Sequence, residues 1–252
     1  MKLSKTQSDV KEITVTSFNQ YLQFIEKECR EKYILFRGQR EYTKTPRNLR
    51  PKIARHELTD LKGEKLLAAE KRIFEDFKKR SIPYIEKNIP ANDNDWEWLT
   101  LAQHHGLPTR RLDWTKNPLA ALWFVVAEPP KDYKTYGTVW IFKPSDNDFV
   151  DFSKDLHPFD IKRTKVFEPN HIARRITAQS ACFTAHKYLD DKSKFIPLNK
   201  NVSYKRKLKK VVVPGSIFTE LKDQLDRCSI NDATIFADLD NLCKYITWRE
   251  LK

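Results

Sequence analysis

Apolar residues recur at helical spacing between Phe18 and Cys29, where Phe18, Tyr21, Leu22, Ile25 and Cys29 share a face, and this predicts an amphipathic helix. Ser17, with Gln20 three residues on, makes a capping box at its start. The period then changes: YILFRGQ is aromatic and β-branched, a strand whose alternation puts Tyr33, Leu35 and Arg37 on one face, with Arg37 at its end. Residues 65–80 return to helical spacing with Leu66, Ile73, Phe74 and Phe77 inward. A third helix starts at Asp95, read as its cap, and stops at Gly106, with Pro108 just beyond. His104 and His105 fall in its last turn. After a bend at 107–116, Asn117 and Pro118 have the order of cap and first position for a helix from Leu119 to Ala127 that is apolar all round, hence buried.

Gly137 turns the chain into TVWIF, a continuous apolar strand of the kind found inside a sheet. From Phe149 to Leu198 the chain reads as loop, apart from one strand-like piece, ARRITAQSACFTA. The basic run YKRKLKKVVVPGS then leads into a strand at Val211–Val213, and two helices, about 216–228 and 232–244, close the chain. Strands and helices mix without regular alternation, so the fold class is α+β: one domain over residues 1–252, a small central sheet flanked by helices.

Composition narrows the class. With 252 residues, 40% of them apolar, the chain can bury a full core without a staple. Its four cysteines form no Cys-x-x-Cys pair, which disfavours a structural zinc site and a disulfide framework and suits reduced thiols. No signal-like or membrane-length apolar run occurs, so no membrane contact and a cytoplasmic location are expected. The net charge of +13 points to polyanionic partners, nucleic acid above all, or else to a solvated basic surface. Lys205, Arg206, Lys207, Lys209 and Lys210 are the densest such cluster and the candidate nucleic-acid contact; a lysine-guarded sheet edge is the alternative.

Four segments in order, LFRGQ, LAQHHGLPTRRLDWTKNPLAALWF, RITAQSACFT and TIFADLDNL, resemble the successive signatures of the FRG domain family over about residues 15–245. The resemblance implies a bacterial or phage protein of the toxin or defence type, with an antitoxin or defence-system partner. More loosely, the order of parts is similar to the ADP-ribosyltransferase fold. In that fold an arginine on the first core strand holds the dinucleotide, a Ser or Thr precedes a helix like NPLAALWF, and a later strand supplies a Glu that binds the ribose. Arg37 and Thr115 match the first two positions. No Gln-x-Glu or Glu-x-Glu pair supplies the third, so Gln179, or failing it Glu168, stands in, and a glutamine orients a ribose hydroxyl without serving as a base.

The residues themselves make a second case for a site. A strand-end arginine beside Gly38 suits a bidentate grip on a phosphate, the glycine letting a ligand approach the backbone, with Gln39 and Arg40 extending the polar edge. Asp113, Trp114 and Thr115 in the bend offer a carboxylate, an aromatic plane and a hydroxyl above a helix N-terminus, a natural anion site, unless they only cap the helix and fill core. The expected catalytic set is therefore Arg37, His105, Asp113, Thr115 and Gln179. The expected NAD-binding set is Arg37, Gly38, Gln39, His104, Thr109 and Trp114, with Gly106 and Pro108 in the same wall. A non-enzymatic nucleotide- or RNA-binding module is the alternative. A metal-dependent nuclease using His104, His105, His171, His186 and Asp113 is disfavoured, because adjacent helical histidines point about 100° apart and no His-x-x-x-His exists.

Overall fold

The computed structural model describes residues 10–41, 48–55, 60–85, 94–130, 132, 135–170, 180–187 and 195–251. Within them the chain forms β1 (Lys11–Thr14), α1 (Phe18–Glu28), β2 (Leu35–Glu41), α2 (Gly63–Ile85), α3 (Asp95–His104), β3 (Arg111–Thr115), α4 (Pro118–Val126) and β4 (Tyr136–Phe142). It continues with β5 (Lys165–Phe167), β6 (Ala181–Ala185), a short α5 (Val202–Lys205), β7 (Leu208–Pro214), α6 (Phe218–Arg227), α7 (Asp232–Phe236) and α8 (Leu239–Glu250). All strands join one seven-stranded sheet in the order β1-β7-β4-β2-β3-β6-β5. The class is α+β, as the pattern predicts, but the sheet is larger than expected, and every strand pair is antiparallel except β1 with β7.

The additional strands are β1, β5 and β3. The segment expected to bend before the buried helix is a strand, with Leu112 and Trp114 on one face and Arg111, Asp113 and Thr115 on the other. Its period-2 alternation is present in the sequence but short, and Pro108 and Pro118 on either side read as turn signals. The final helix is also divided: Ala237 adopts a left-handed conformation, and the Asp238 side chain starts α8 by accepting from the Asn241 N–H at 2.8 Å.

One face of the sheet carries Phe36, Val139, Ile141, Val211 and Val213, covered by α1, α4 and α6. The other carries Leu35, Leu112, Trp114, Trp140, Phe142 and Cys182, covered by Leu49, Leu198 and Tyr204. Helix α4 runs as the pattern predicts: the Asn117 side chain accepts from Leu119 and Ala120 N–H groups, Pro118 opens the helix, and Ala120–Val126 is buried apart from Phe124. Its far end is held by Arg40, whose guanidinium donates to the carbonyls of Val125, Glu128 and Pro129, a cation at a helix C-terminus. Arg40 therefore ties down α4 rather than extending the polar edge of Arg37.

Gly38 has a packing reason rather than the expected ligand-approach reason. A Cβ there would lie 1.9 Å from the Ala121 carbonyl oxygen and 2.9 Å from Phe124 Cβ, so its bare Cα lets α4 lie on β2. Neither obstacle is the tip of a flexible side chain. Gly38→Ala must push strand and helix apart, at a cost of about 1–3 kcal/mol, and should lower Tm by roughly 2–12 °C in a calorimetric scan. An unchanged Tm would show that the contact yields freely.

Glu70 of α2 anchors the start of β3 from below. Its carboxylate accepts from the Arg110 main-chain N–H at 2.9 Å and from Arg110 Nη2 at 2.6 Å, with both side chains almost fully buried. Among the described residues, no helix is long and apolar enough to cross a membrane.

Candidate functional site

The sheet comes apart in its middle. Strand β2 pairs with β4 along all seven of its residues, and β3 pairs with β6 along five, yet β2 and β3 share a single pair, Phe36 with Thr115. Beyond it the two strands diverge, and a cavity of about 500 Å³ lies at the opening, within the size range of small-molecule sites. Helix α4 covers the β2 side through Phe124, the end of α3 lines another wall with Gln103 and His104, and Phe183 of β6 lines a third.

Arg37 bridges the gap. Its Nη1 donates to the Asp113 main-chain oxygen at 2.8 Å and lies 3.6 Å from the Asp113 carboxylate, with 16% of the side chain exposed. The Asp113 side chain, 61% exposed, also accepts from Gln103 Nε2, and Gln103 Oε1 in turn accepts from Thr109 Oγ1 at 2.7 Å. Thus a loop threonine, the last turn of α3 and two strands are stitched together around one carboxylate. Among the described lining residues Asp113 is the sole acid, whereas Arg37, Lys52, Arg55 and Arg111 bring guanidinium or ammonium groups, so the cavity favours an anion.

Of the expected site residues, Arg37, Gly38, His104, Thr109, Asp113, Trp114 and Thr115 border this cavity. Two of them do so differently than expected. The Trp114 indole is buried, packs against Phe142 at 5.6 Å and donates to Thr184 Oγ1 at 2.9 Å, so it is core and offers no stacking plane. Thr115 is buried too, and its Oγ1 accepts from the Asn117 N–H at 3.0 Å in the turn that starts α4. His105 is exposed, with its ring edge-on to His104 at 4.9 Å, and does not line the cavity; nor does Gln39, which is buried in β2. Gly106 lines it and takes a φ of +90°, which turns the chain out of α3 as the sequence predicts. Gln179 and His171 lie outside the described residues. Glu168, the substitute for Gln179, pairs with Lys116 at 2.9 Å away from the lining.

Among the described residues the candidate histidines do not gather at one point. His186 is buried, its Nε2 is 3.0 Å from Thr184 Oγ1, and burial, with Arg110 and Arg37 nearby, pushes its pKa down to about 3, so it is neutral at physiological pH. Among the described residues, no group of three or more His, Cys, Asp or Glu is placed to hold a metal ion.

The basic cluster is largely neutralised within the fold. Lys207 bonds the buried carboxylate of Asp148, Lys209 bonds Glu28, and Lys210 pairs with Glu12 at 3.0 Å. Strand β7 lies between β1 and β4, so the lysines do not guard an edge either. Lys205 and Arg206 form no ion pair among the described residues and are what remains of the cluster for a polyanion.

Sequence reasoning passed over Arg111, Gln103, Lys52 and Arg55. The signal for Arg111 lay in the alternation of β3: once residues 111–115 are a strand, Arg111 shares its face with Asp113.

Residues 32–134 match the family described as FRG domain. This segment is an FRG domain. It begins just before β2 and ends before β4, and so holds Arg37, Gly38, α3, β3 and α4, elements that build the cavity; β6, with Phe183, lies beyond it. No curated protein and no solved structure matches the chain. In the FRG domain the phenylalanine of the Phe-Arg-Gly run is core, the arginine bridges the opening in the sheet, and the glycine admits α4.

Proposed function

We propose that the cavity binds NAD or a closely related dinucleotide, and that the protein is an ADP-ribosyltransferase-like toxin or defence effector acting on a nucleic-acid or nucleic-acid-associated target. The observation that carries the reading is the opening of the sheet beside Arg37. There, Arg37 on β2, Asp113 and Thr115 on β3, and Ala181, the first residue of β6, all border one cavity. Arg37 and Thr115 are positions that the transferase resemblance assigns to dinucleotide binding and turnover, Ala181 follows its third position, Gln179, by two residues, and β3 lies between β2 and β6 in the sheet.

NAD supplies an ADP-ribosyl group: its bond to nicotinamide breaks, nicotinamide leaves with the bonding pair, and an acceptor nucleophile bonds the ribose carbon. The protein's residues provide the surroundings. Arg37 faces the opening with a charged fork suited to a phosphate oxygen. Asp113, oriented by Gln103 and Arg37, places a negative charge where a ribose develops positive character, which lowers the barrier if that charge is fixed in advance. Asp113→Asn keeps the shape and should lower nicotinamide release by at least about tenfold, the loss of roughly one strong interaction in the transition state, with a smaller change in NAD affinity. The assay is labelled NAD incubated with the protein and with RNA, DNA or protein acceptors. Full turnover in the variant removes Asp113 from the chemistry.

A second reading, a non-enzymatic nucleotide-binding module, is favoured by one observation: the single lining carboxylate is engaged by two donors, so the cavity is better furnished for holding an anion than for transforming one. Saturable NAD binding with no nicotinamide release from the wild type would establish it. The nucleic-acid target rests on the +13 charge, with only Lys205 and Arg206 of the basic cluster outside ion pairs.

A further inference from the structure

Arg111 begins β3 and lines the cavity, yet it is 2% exposed. Its surroundings hold the guanidinium in a fixed pose. Nη1 donates to Thr100 Oγ1 at 2.6 Å and to the Trp96 carbonyl at 3.2 Å, and the planar group lies over the Phe183 ring, 3.7 Å from its centre. The Phe167 ring centre is 5.2 Å away as well, so one edge is engaged and the plane is packed by aromatic rings. The other edge, Nε and Nη2, makes no hydrogen bond among the described residues. Those two nitrogens form the side-on fork of an arginine, two N–H groups in the geometry that a phosphate or carboxylate accepts bidentately. A buried polar group without a partner costs free energy, so two such donors, buried on a residue that lines a cavity, call for a ligand.

We propose that Arg111 is a second anion anchor in the cavity, which receives a phosphate group of the ligand on Nε and Nη2 while Arg37 holds another anionic group at the opening. The ligand class is then a diphosphate-bearing nucleotide rather than a nucleoside or a monoanion. The inference rests on the cavity being the ligand site, but not on the ligand being turned over.

Two acids face this guanidinium electrostatically, Asp113 on the same strand face and Glu97 on α3. Glu97 is buried; its Oε1 accepts from the Asn170 N–H at 2.9 Å and its Oε2 makes no hydrogen bond among the described residues. Burial raises the Glu97 pKa, which shifts it toward the neutral form and weakens its competition with an incoming anion. Burial also lowers the Arg111 pKa to about 9, partly offset by Asp113 and Glu97, so the guanidinium is still charged at pH 7.

Inorganic pyrophosphate, titrated calorimetrically into the full chain, tests the anchor. Wild type should bind saturably, and Arg111→Lys, which keeps the charge and removes the fork, should bind about tenfold to a hundredfold more weakly, the loss of a charge-assisted pair of hydrogen bonds. Glu97→Gln removes the competing charge and should bind more tightly than wild type; it also serves where Arg111→Lys fails to fold. Wild-type affinity in Arg111→Lys overturns the proposal, as does unchanged or weaker binding in a folded Glu97→Gln, which would mean that the fork serves Glu97 through water. Absence of saturable pyrophosphate binding in the wild type overturns it as well. Loss of the NAD reading looks different: nicotinamide release is absent while pyrophosphate still binds in an Arg111-dependent way.

Discussion

Arg37→Ala should weaken ligand binding by about thirtyfold to several-thousandfold, the roughly 2–5 kcal/mol expected when a partly buried charged partner is deleted and the anion opposite it is left unpaired. The side chain reaches across the opening between β2 and β3, where the strands share only the Phe36–Thr115 pair, and its fork lies at the cavity rather than under a helix. Its hydrogen bond to the Asp113 main-chain oxygen and its loose approach to the exposed Asp113 carboxylate are worth about 1 kcal/mol together. Loss of those two contacts lowers Tm by about 2–4 °C, against a loss of affinity several times larger in free energy. The measurement is paired: NAD or pyrophosphate titration beside a thermal scan of the same preparation. A fall in stability as large as the fall in affinity would make Arg37 a tie between the two halves of the sheet, and its place in the ligand site would be lost.

The largest stability effect is expected at the other end of β3. Glu70→Ala removes the carboxylate that pairs with Arg110 and leaves a guanidinium buried at 1% exposure without its countercharge, beside the carbonyls of Pro158 and Phe159 at 3.4 Å. Breaking one side of a buried pair costs about 3–5 kcal/mol, since the surviving charge stays desolvated. For a chain of this size that is a drop of roughly 6–20 °C in Tm. Replacing both partners together by Glu70→Leu and Arg110→Met should recover much of it, because the remaining group no longer carries a charge. If the single and double variants melt alike, the pair is not what holds β3 to α2. Because β3 carries Asp113 and Arg111, Glu70→Ala should also loosen the cavity without touching it.

The local rules wrote several elements directly into the chain. Asn117 and Pro118 mark the start of α4, and the unbroken apolar run that follows marks its burial, because a helix with no polar face has no water-facing option. Gly106 marks the end of α3 for the same local reason, a backbone turn at positive φ that other residues resist. The Phe-Arg-Gly run and the segment from Gln103 to Phe124 also pointed, from the sequence alone, to the two walls of the cavity.

What tertiary structure decided is which side each residue serves, and that depends on partners distant in the chain. Gly38 reads as room for a ligand, but the room is taken by α4, whose approach no local pattern encodes. Trp114 and Asp113 are adjacent in sequence, yet strand alternation sends one into the core and the other to the cavity, and the strand exists because β6, about seventy residues later, pairs with it. The run of lysines before β7 reads as a polyanion contact until Asp148, Glu28 and Glu12, acids from three separate segments, are seen to engage it. Composition and periodicity determine elements because those are set by neighbours within a few residues. Ion pairing, the direction of a glycine's open side and the gap in the sheet are set by long-range contacts, and only the folded chain brings those together.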